Sequence, residues 1–298
     1  MTIQPPITAT TRPNWLPESE YPFEPRSIEL GEATVTYVDE GEGPTLLFVH
    51  TGMWSFIFRD AITRLRDDFR CVTLDFPGYG LSPEPPAGDL DLESQAGLLG
   101  EFATKLGLSD ITLVLHDLGG LVGVGFAAAH PDLVRGFVMT NTFAWKPEGK
   151  ALVRMLRIVS SRPIAGLDWI TRLIPRLTAT KAGVGLRLSK SGKQTFLGPF
   201  RQRRRIGRFH TLMRDALRAD GLHTRIEDAT SGVLGGLPVL TIFGENNDPF
   251  GFQERHHATF GDHEGLIITN GNHFPMMDDP DLFADTVRDW SRRKNPHA

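Results

Sequence analysis

Four short stretches of this chain hold residues whose types could do chemistry together: His50-Thr51-Gly52, His116-Asp117-Leu118, Asn247-Asp248 and Asn272-His273. Each follows a β-rich apolar run. Asp117 is the most telling, because the run ITLVL leads into His116-Asp117, and Leu118, two glycines and a segment with helical spacing come after it. A carboxylate at a sharp strand-to-helix turn costs free energy unless it is paired or working. We therefore read Asp117 as a nucleophile in preference to a simple helix cap. A carboxylate attacks an sp³ carbon that bears a leaving group or a strained oxygen, giving an alkyl-enzyme ester. Ordinary serine-esterase chemistry is not open to this chain, which has no G-x-S-x-G segment.

The elements needed to bring those stretches together can be read from the apolar pattern. Thr45 to His50 (TLLFVH), Arg70 to Asp75 (RCVTLD), Val134 to Thr140 (VRGFVMT) and Leu237 to Phe243 (LPVLTIF) are mostly apolar, as strands covered on both faces are. Helical spacing over Phe56 to Leu65 and Leu92 to Leu106 alternates with them, which implies right-handed crossovers and a mostly parallel sheet. Ligands of such sheets bind outside the carboxyl ends of the strands, where the four stretches fall. Two short strands around Ser27 to Leu30 and Ala33 to Val38 predict an antiparallel edge, Leu266 to Thr269 a last short strand and Asp281 to Trp290 a closing helix. Between residues 145 and 228 the alternation stops, and patterns such as Leu152 to Val159 and Leu167 to Ile174 predict helices only. The expected organisation is a proline-rich arm (1–27), an α/β core (28–144 and 229–298) and an inserted helical cap (145–228).

Charge marks the same boundary. The net charge of −4 hides 19 Lys and Arg against 6 Asp and Glu between Trp145 and Asp228. A basic cap of this kind suits an anionic substrate group or an acidic partner, with a solvated arginine-rich face as the plainer reading. The densest run, Arg201 to Arg208, has only Phe200 and Phe209 as aromatic neighbours, so nucleic-acid binding is not expected. Cys71, the only cysteine, reads as a core thiol and excludes an internal disulfide or a cysteine metal cluster. His256, His257 and His263 lack a regular ligand spacing and read as surface residues, so no metal is expected. Gly123-Val124-Gly125 falls inside the helix after Asp117, where it serves packing and not a dinucleotide. No apolar run is long enough to span a membrane and no signal-peptide pattern opens the chain, which predicts an unexported cytoplasmic protein without cofactor.

The chain resembles the α/β-hydrolases of the haloalkane dehalogenase and epoxide hydrolase group, from about Tyr21 to Trp290. The segments YVDEGEGPTLLFVH, LDFPGYGLSP, VLHDLGG, AAAHPDLVRGFVMTNT and GNHFPMMDDP carry the likeness. It implies a nucleophile, acid, base order of Asp117, Asp248 and His273, with Gly52 and Leu118 N–H groups as oxyanion hole and a small, largely apolar electrophile as substrate. His116, Trp54, Phe143 and Trp145 are the expected substrate-binding residues.

The chain departs from that group's pattern in instructive places. Leu118 stands where dehalogenases place a halide-binding Trp, and Gly52 where they place Asn or Glu, so Trp54 and Trp145 are the candidate replacements. Asn141 occupies the position where some relatives carry the acid. The three tyrosines, Tyr21, Tyr37 and Tyr79, all precede the cap, so epoxide opening would draw its proton from His116 or His210. Opening of a β-lactone, and ligand binding without turnover, are the remaining readings.

Overall fold

In the computed structural model, which describes residues 8–86 and 88–294, nine strands form one sheet in the order β1-β2-β3-β5-β4-β6-β7-β8-β9. They are β1 (Thr8–Ala9), β2 (Arg26–Leu30), β3 (Ala33–Glu40), β4 (Thr45–His50), β5 (Arg70–Asp75), β6 (Ile111–Asp117), β7 (Val134–Thr142), β8 (Pro238–Gly244) and β9 (Asp262–Ile268). The first three pair antiparallel, β3 meets β5 antiparallel, and every pairing from β5 to β9 is parallel. The helices are α1 (Arg59–Leu65), α2 (Leu92–Lys105), α3 (Gly119–Ala129), α4 (Lys150–Val159), α5 (Arg162–Thr171), α6 (Leu173–Thr178), α7 (Lys190–Phe196), α8 (Arg203–Asp215), α9 (Asp220–Ser231), α10 (Phe252–Thr259), α11 (Pro275–Asp278) and α12 (Pro280–Lys294).

The strands that read as apolar runs are buried along nearly their whole length, because helices cover both faces of the sheet. One core lies under α2, α3 and α9, the other under α1, α11 and α12. Cys71 is buried in the second. In α3 the glycines admit neighbours closely: a Cβ on Gly123 would stand 2.2 Å from Leu115 Cδ2, and one on Gly125 2.5 Å from Leu222 Cδ1. Helix packing is thus what the Gly123-Val124-Gly125 segment serves.

Several boundaries differ from expectation for physical reasons. The pattern Leu167 to Ile174 is not one helix, since Arg172 takes a left-handed conformation (φ 55°) and separates α5 from α6. Strand β9 begins at Asp262, four residues before the apolar LIIT, because its polar first half is part-exposed at the sheet edge and carries no apolar signal. Helix α10 has almost no amphipathic pattern in the sequence, and is held at its start by a carboxylate described below.

The basic run of α8 also differs from a solvated face. Arg205 and Arg208 are buried. Arg205 donates to Gly80 O and Ser82 O, and Arg208 donates to Gly78 O, Asp89 and Glu84, so together they fasten α8 to the loop that follows β5.

Candidate active site

Asp117 ends β6 at a turn whose geometry is set by the backbone. Its φ is 52°, a conformation that costs an L-residue roughly 1–2 kcal/mol, and the β6/β7 register shifts between His116 and Asp117. The turn is held by Thr142 Oγ1, which donates to Asp117 O, and by α3, which begins two residues later. Gly119 is needed there, since a Cβ would stand 2.3 Å from Val49 O and 3.2 Å from His50 Cα. That contact brings the start of α3 against the end of β4, where Gly52 (φ 88°) faces Phe209 of α8. Leu118 N–H acts on the Asp117 carboxylate.

His273 approaches from the loop after β9, and its Nε2 is 3.4 Å from Asp117 Oδ2. Burial works against the charge on Asp117, and the hydrogen bond and charge of His273 outweigh it and hold the carboxyl below its usual range. Both side chains remain reachable, 21 % and 31 % exposed. The Asp117 carboxyl is therefore ionised at neutral pH.

The residue that orients His273 differs from the one expected. His273 Nδ1 donates to Asn247 Oδ1 at 2.7 Å. Asp248 is instead turned to α10, where its two oxygens accept Phe252 N–H at 2.7 Å and Gln253 N–H at 3.0 Å. A carboxylate at a helix N-terminus satisfies donors that have no partner inside the helix, which explains the choice. Asn141, itself at φ 40°, locks the pair by donating to Asn247 O at 2.7 Å and Oδ1 at 3.1 Å while its own Oδ1 accepts Gly244 N–H. The sequence favours Asp248 over Asn247 because the neighbouring carboxylate is the stronger candidate on chemistry alone.

Behind His273 lies a stack of imidazoles. His116 sits 4.7 Å from the His273 ring and 5.0 Å from that of His50. Burial first, then the neighbouring His273 and His50, keep the His116 pKa well down, so it is neutral. Its Nδ1 donates to Thr140 O, which leaves Nε2 as an acceptor without a partner. Burial likewise pushes His50 down to about 3. His116 is thus no source of protons in the resting state.

The expected substrate-binding aromatics divide. Trp54 is packed among Trp15, Tyr21 and Phe56, and its ring N–H donates to Phe196 O at 3.1 Å. Phe143 and Trp145 follow the end of β7 beside the elbow, packed against Phe252, with Arg255 over the Trp145 ring. His210 is buried against Asp168 and Val159 O. His256, read as a surface residue, is wholly buried and its Nε2 meets Thr142 O at 3.0 Å. Among the described residues no group of three or more His, Cys, Asp or Glu is placed to hold a metal ion, and no helix is long and apolar enough to cross a membrane.

Comparison with known proteins gives this arrangement a family. A profile of the alpha/beta hydrolase family matches residues 46–286. Haloalkane dehalogenase 2 of Mycobacterium bovis is 32 % identical over 276 residues, 90 % of this chain and 94 % of that protein. The cis-3-alkyl-4-alkyloxetan-2-one decarboxylase of Shewanella oneidensis is 29 % identical over 187 residues, 60 % of this chain and 58 % of that one. Among solved structures, a haloalkane dehalogenase of Bradyrhizobium elkani superposes with a TM-score of 0.77 at 19 % identity, covering 91 % of this chain and 98 % of its own. The elbow, the facing histidine and these likenesses agree: the chain is a hydrolase that belongs to the α/β-hydrolase family, in its haloalkane dehalogenase-like group.

Proposed function

We propose that the protein hydrolyses a small, largely apolar electrophile through a covalent alkyl-aspartate ester, in the manner of a haloalkane dehalogenase. The observation that carries this is the Asp117 carboxylate at the β6–α3 turn, 3.4 Å from His273 Nε2, with Nδ1 of the same ring held by Asn247. In the first step an Asp117 oxygen attacks the sp³ carbon and the leaving group departs with the bonding electron pair. In the second, the ester no longer carries the charge that kept a proton on His273 Nε2, and the ring, that proton released to solvent, takes one from water, whose oxygen adds to the carboxyl carbon of the ester. The resulting oxyanion is met by N–H groups of Leu118 and the Gly52 turn, then collapses to release the alcohol. The imidazolium returns its proton to that leaving alcohol. No cofactor is needed for any of these steps.

His273→Gln should leave the first step possible and block the second. With a panel of haloalkanes, mass analysis of the Asp117 peptide should then show an added alkyl group, while Asp117→Asn shows none. In heavy-oxygen water, a single turnover of the native protein should place the label in Asp117 and leave the product unlabelled. A native protein whose first-turnover product takes its oxygen directly from the solvent would sink the nucleophile assignment.

A second reading has its own observation. Leu118 offers no side-chain N–H and that of Trp54 is committed to Phe196 O, so neither is free to receive a halide. A strained lactone or epoxide, whose leaving oxygen stays attached to the product, does not need a halide site. Replacing haloalkanes with β-lactones and epoxides in the same trapping experiment separates the two readings.

A further inference from the structure

The helices that follow β7 have an outer surface of a composition found nowhere else on the chain. From Lys150 to Arg214 there are 16 Lys and Arg and one acid, Asp168. Asp168 is buried, its oxygens taken by His210 and by Ile174 N–H, so it neutralises nothing outside. Eight of the eleven exposed large apolar side chains among the described residues lie between Met155 and Leu186. Basic and apolar groups therefore share one region.

Helix geometry places them on the same faces. With Asp168 marking the buried edge of α5, Arg162, Gly166 and Ile170 run up the opposite side at a spacing of four, flanked by Leu167 and Trp169. Trp169 is 50 % and Ile170 66 % exposed. Arg203 stacks over the Trp169 ring at 4.8 Å and donates to the carbonyls of Trp169 and Ile170, which fixes the ring outward. On α4, whose buried edge is Leu152 and Leu156, Lys150, Arg154, Arg157 and Ile158 face out. Leu173, Arg176 and Leu177 repeat the pattern on α6. Where α4, α5 and α8 meet, a cleft of about 630 Å³ is lined by Arg157, Arg162, Arg214 and Arg218 with Ser160 and Ser161. None of those four guanidinium groups has a carboxylate partner among the described residues; Arg214 donates to Ser160 O.

We propose that this face docks the protein onto an anionic lipid bilayer. Amphipathic helices with Trp and Leu-type side chains between basic ones lie at the headgroup level, where the aromatic ring stays half wet and arginine stems extend along apolar surface toward phosphate. The unpaired arginines supply the charge complementarity, and the arginine-lined cleft seats a headgroup phosphate. A second copy of the chain is a poorer occupant, since a twofold contact sets this basic surface against itself. An acidic protein would match the charge but leaves the scattered apolar ridge of α4, α5 and α6 without a reason. The inference is independent of the catalytic reading.

The test is sedimentation with vesicles of about three parts phosphatidylcholine to one of phosphatidylglycerol, against vesicles of phosphatidylcholine alone. The protein should sediment with the anionic vesicles, Trp169 emission should move to shorter wavelength, and about 0.5 M salt should weaken the binding. The charge variant Arg157→Glu/Arg162→Glu should reduce partitioning at least about 25-fold, at roughly fivefold for each of the two lost charges, and the apolar variant Trp169→Ser/Ile170→Ser should also reduce it severalfold or more. All four side chains are exposed, so the thermal unfolding midpoint should hold, which separates lost docking from lost fold. Failure of the native protein to bind anionic vesicles, equal binding to both vesicle types, or variants that bind as the native chain does would each overturn the proposal. So would a native dimer that the apolar variant splits while vesicle binding is absent.

Discussion

In the proposed mechanism Asn247 gives His273 a neutral partner, and rate consequences follow from that one atom pair. An amide oxygen on Nδ1 fixes the tautomer and ring orientation but offers little to the imidazolium that forms when water is deprotonated. Asn247→Asp should therefore accelerate breakdown of the ester by about tenfold or more, and the build-up of alkylated Asp117 seen in rapid-quench experiments should shrink. If the variant accumulates more ester than the native chain, Asn247 is not the orienting group. The residue was hard to find in the sequence because Asn246, Asn247 and Asp248 are adjacent, and chemistry alone favours the carboxylate. Only the competition of the α10 N–H groups for Asp248 decides it. Asp117 stands out more readily, since it ends a run of strand-forming residues, and His273 follows the short run LIIT after three residues. Among the aromatics, Trp54 was ambiguous by type, and burial of its N–H against Phe196 O could not be read from spacing.

At the scale of elements, β4 and β5 were legible to the residue because each is mostly apolar and bounded by turn-forming residues. Legibility fails where tertiary contacts override the local pattern. The left-handed Arg172 splits a run that reads as one helix, and the polar start of β9 is recruited by pairing with β8. Arg205 and Arg208 are the sharpest case, since a run of arginines signals solvent until the loop after β5 supplies carbonyls and carboxylates to receive them. The fit of α3 on β6 gives a testable number. Gly123→Ala drives a methyl group into Leu115 and should cost about 1–3 kcal/mol by overpacking, read as a lower urea midpoint with unchanged slope. The same substitution at Gly166, where a Cβ meets nothing within 4 Å, should instead be neutral or stabilising.

The whole molecule carries a pH signature set by histidines held neutral in its interior. Burial keeps His50 at about 3 and His256 at about 4, both far below the ordinary imidazole value. Above about pH 6.5 neither folded nor unfolded chain binds these protons, so they cost nothing. Below it only the unfolded chain binds them, and stability should fall with pH by about 1.4 kcal/mol per unit for each histidine, until the folded values are reached. The urea midpoint should thus drop steeply between pH 6.5 and about 4, and His256→Gln should flatten that slope. A midpoint that stays level over this interval would count against the buried neutral state.

The placing of α4 to α9 between the neighbouring strands β7 and β8 has a consequence for how the protein is made. Strand β7 pairs with β8 in register, yet residues 143–237 separate them, and closing so long a segment costs about 4 kcal/mol of chain entropy before any contact repays it. The half of the sheet that carries Asp117 can form from contacts local to β4, β5 and β6, whereas Asn247 and His273 arrive only with the late strands. Assembly of the Asp117, His273 and Asn247 cluster is then the closing event of folding. On a ribosome, Asp117 would emerge and fold well before the His273 that faces it exists.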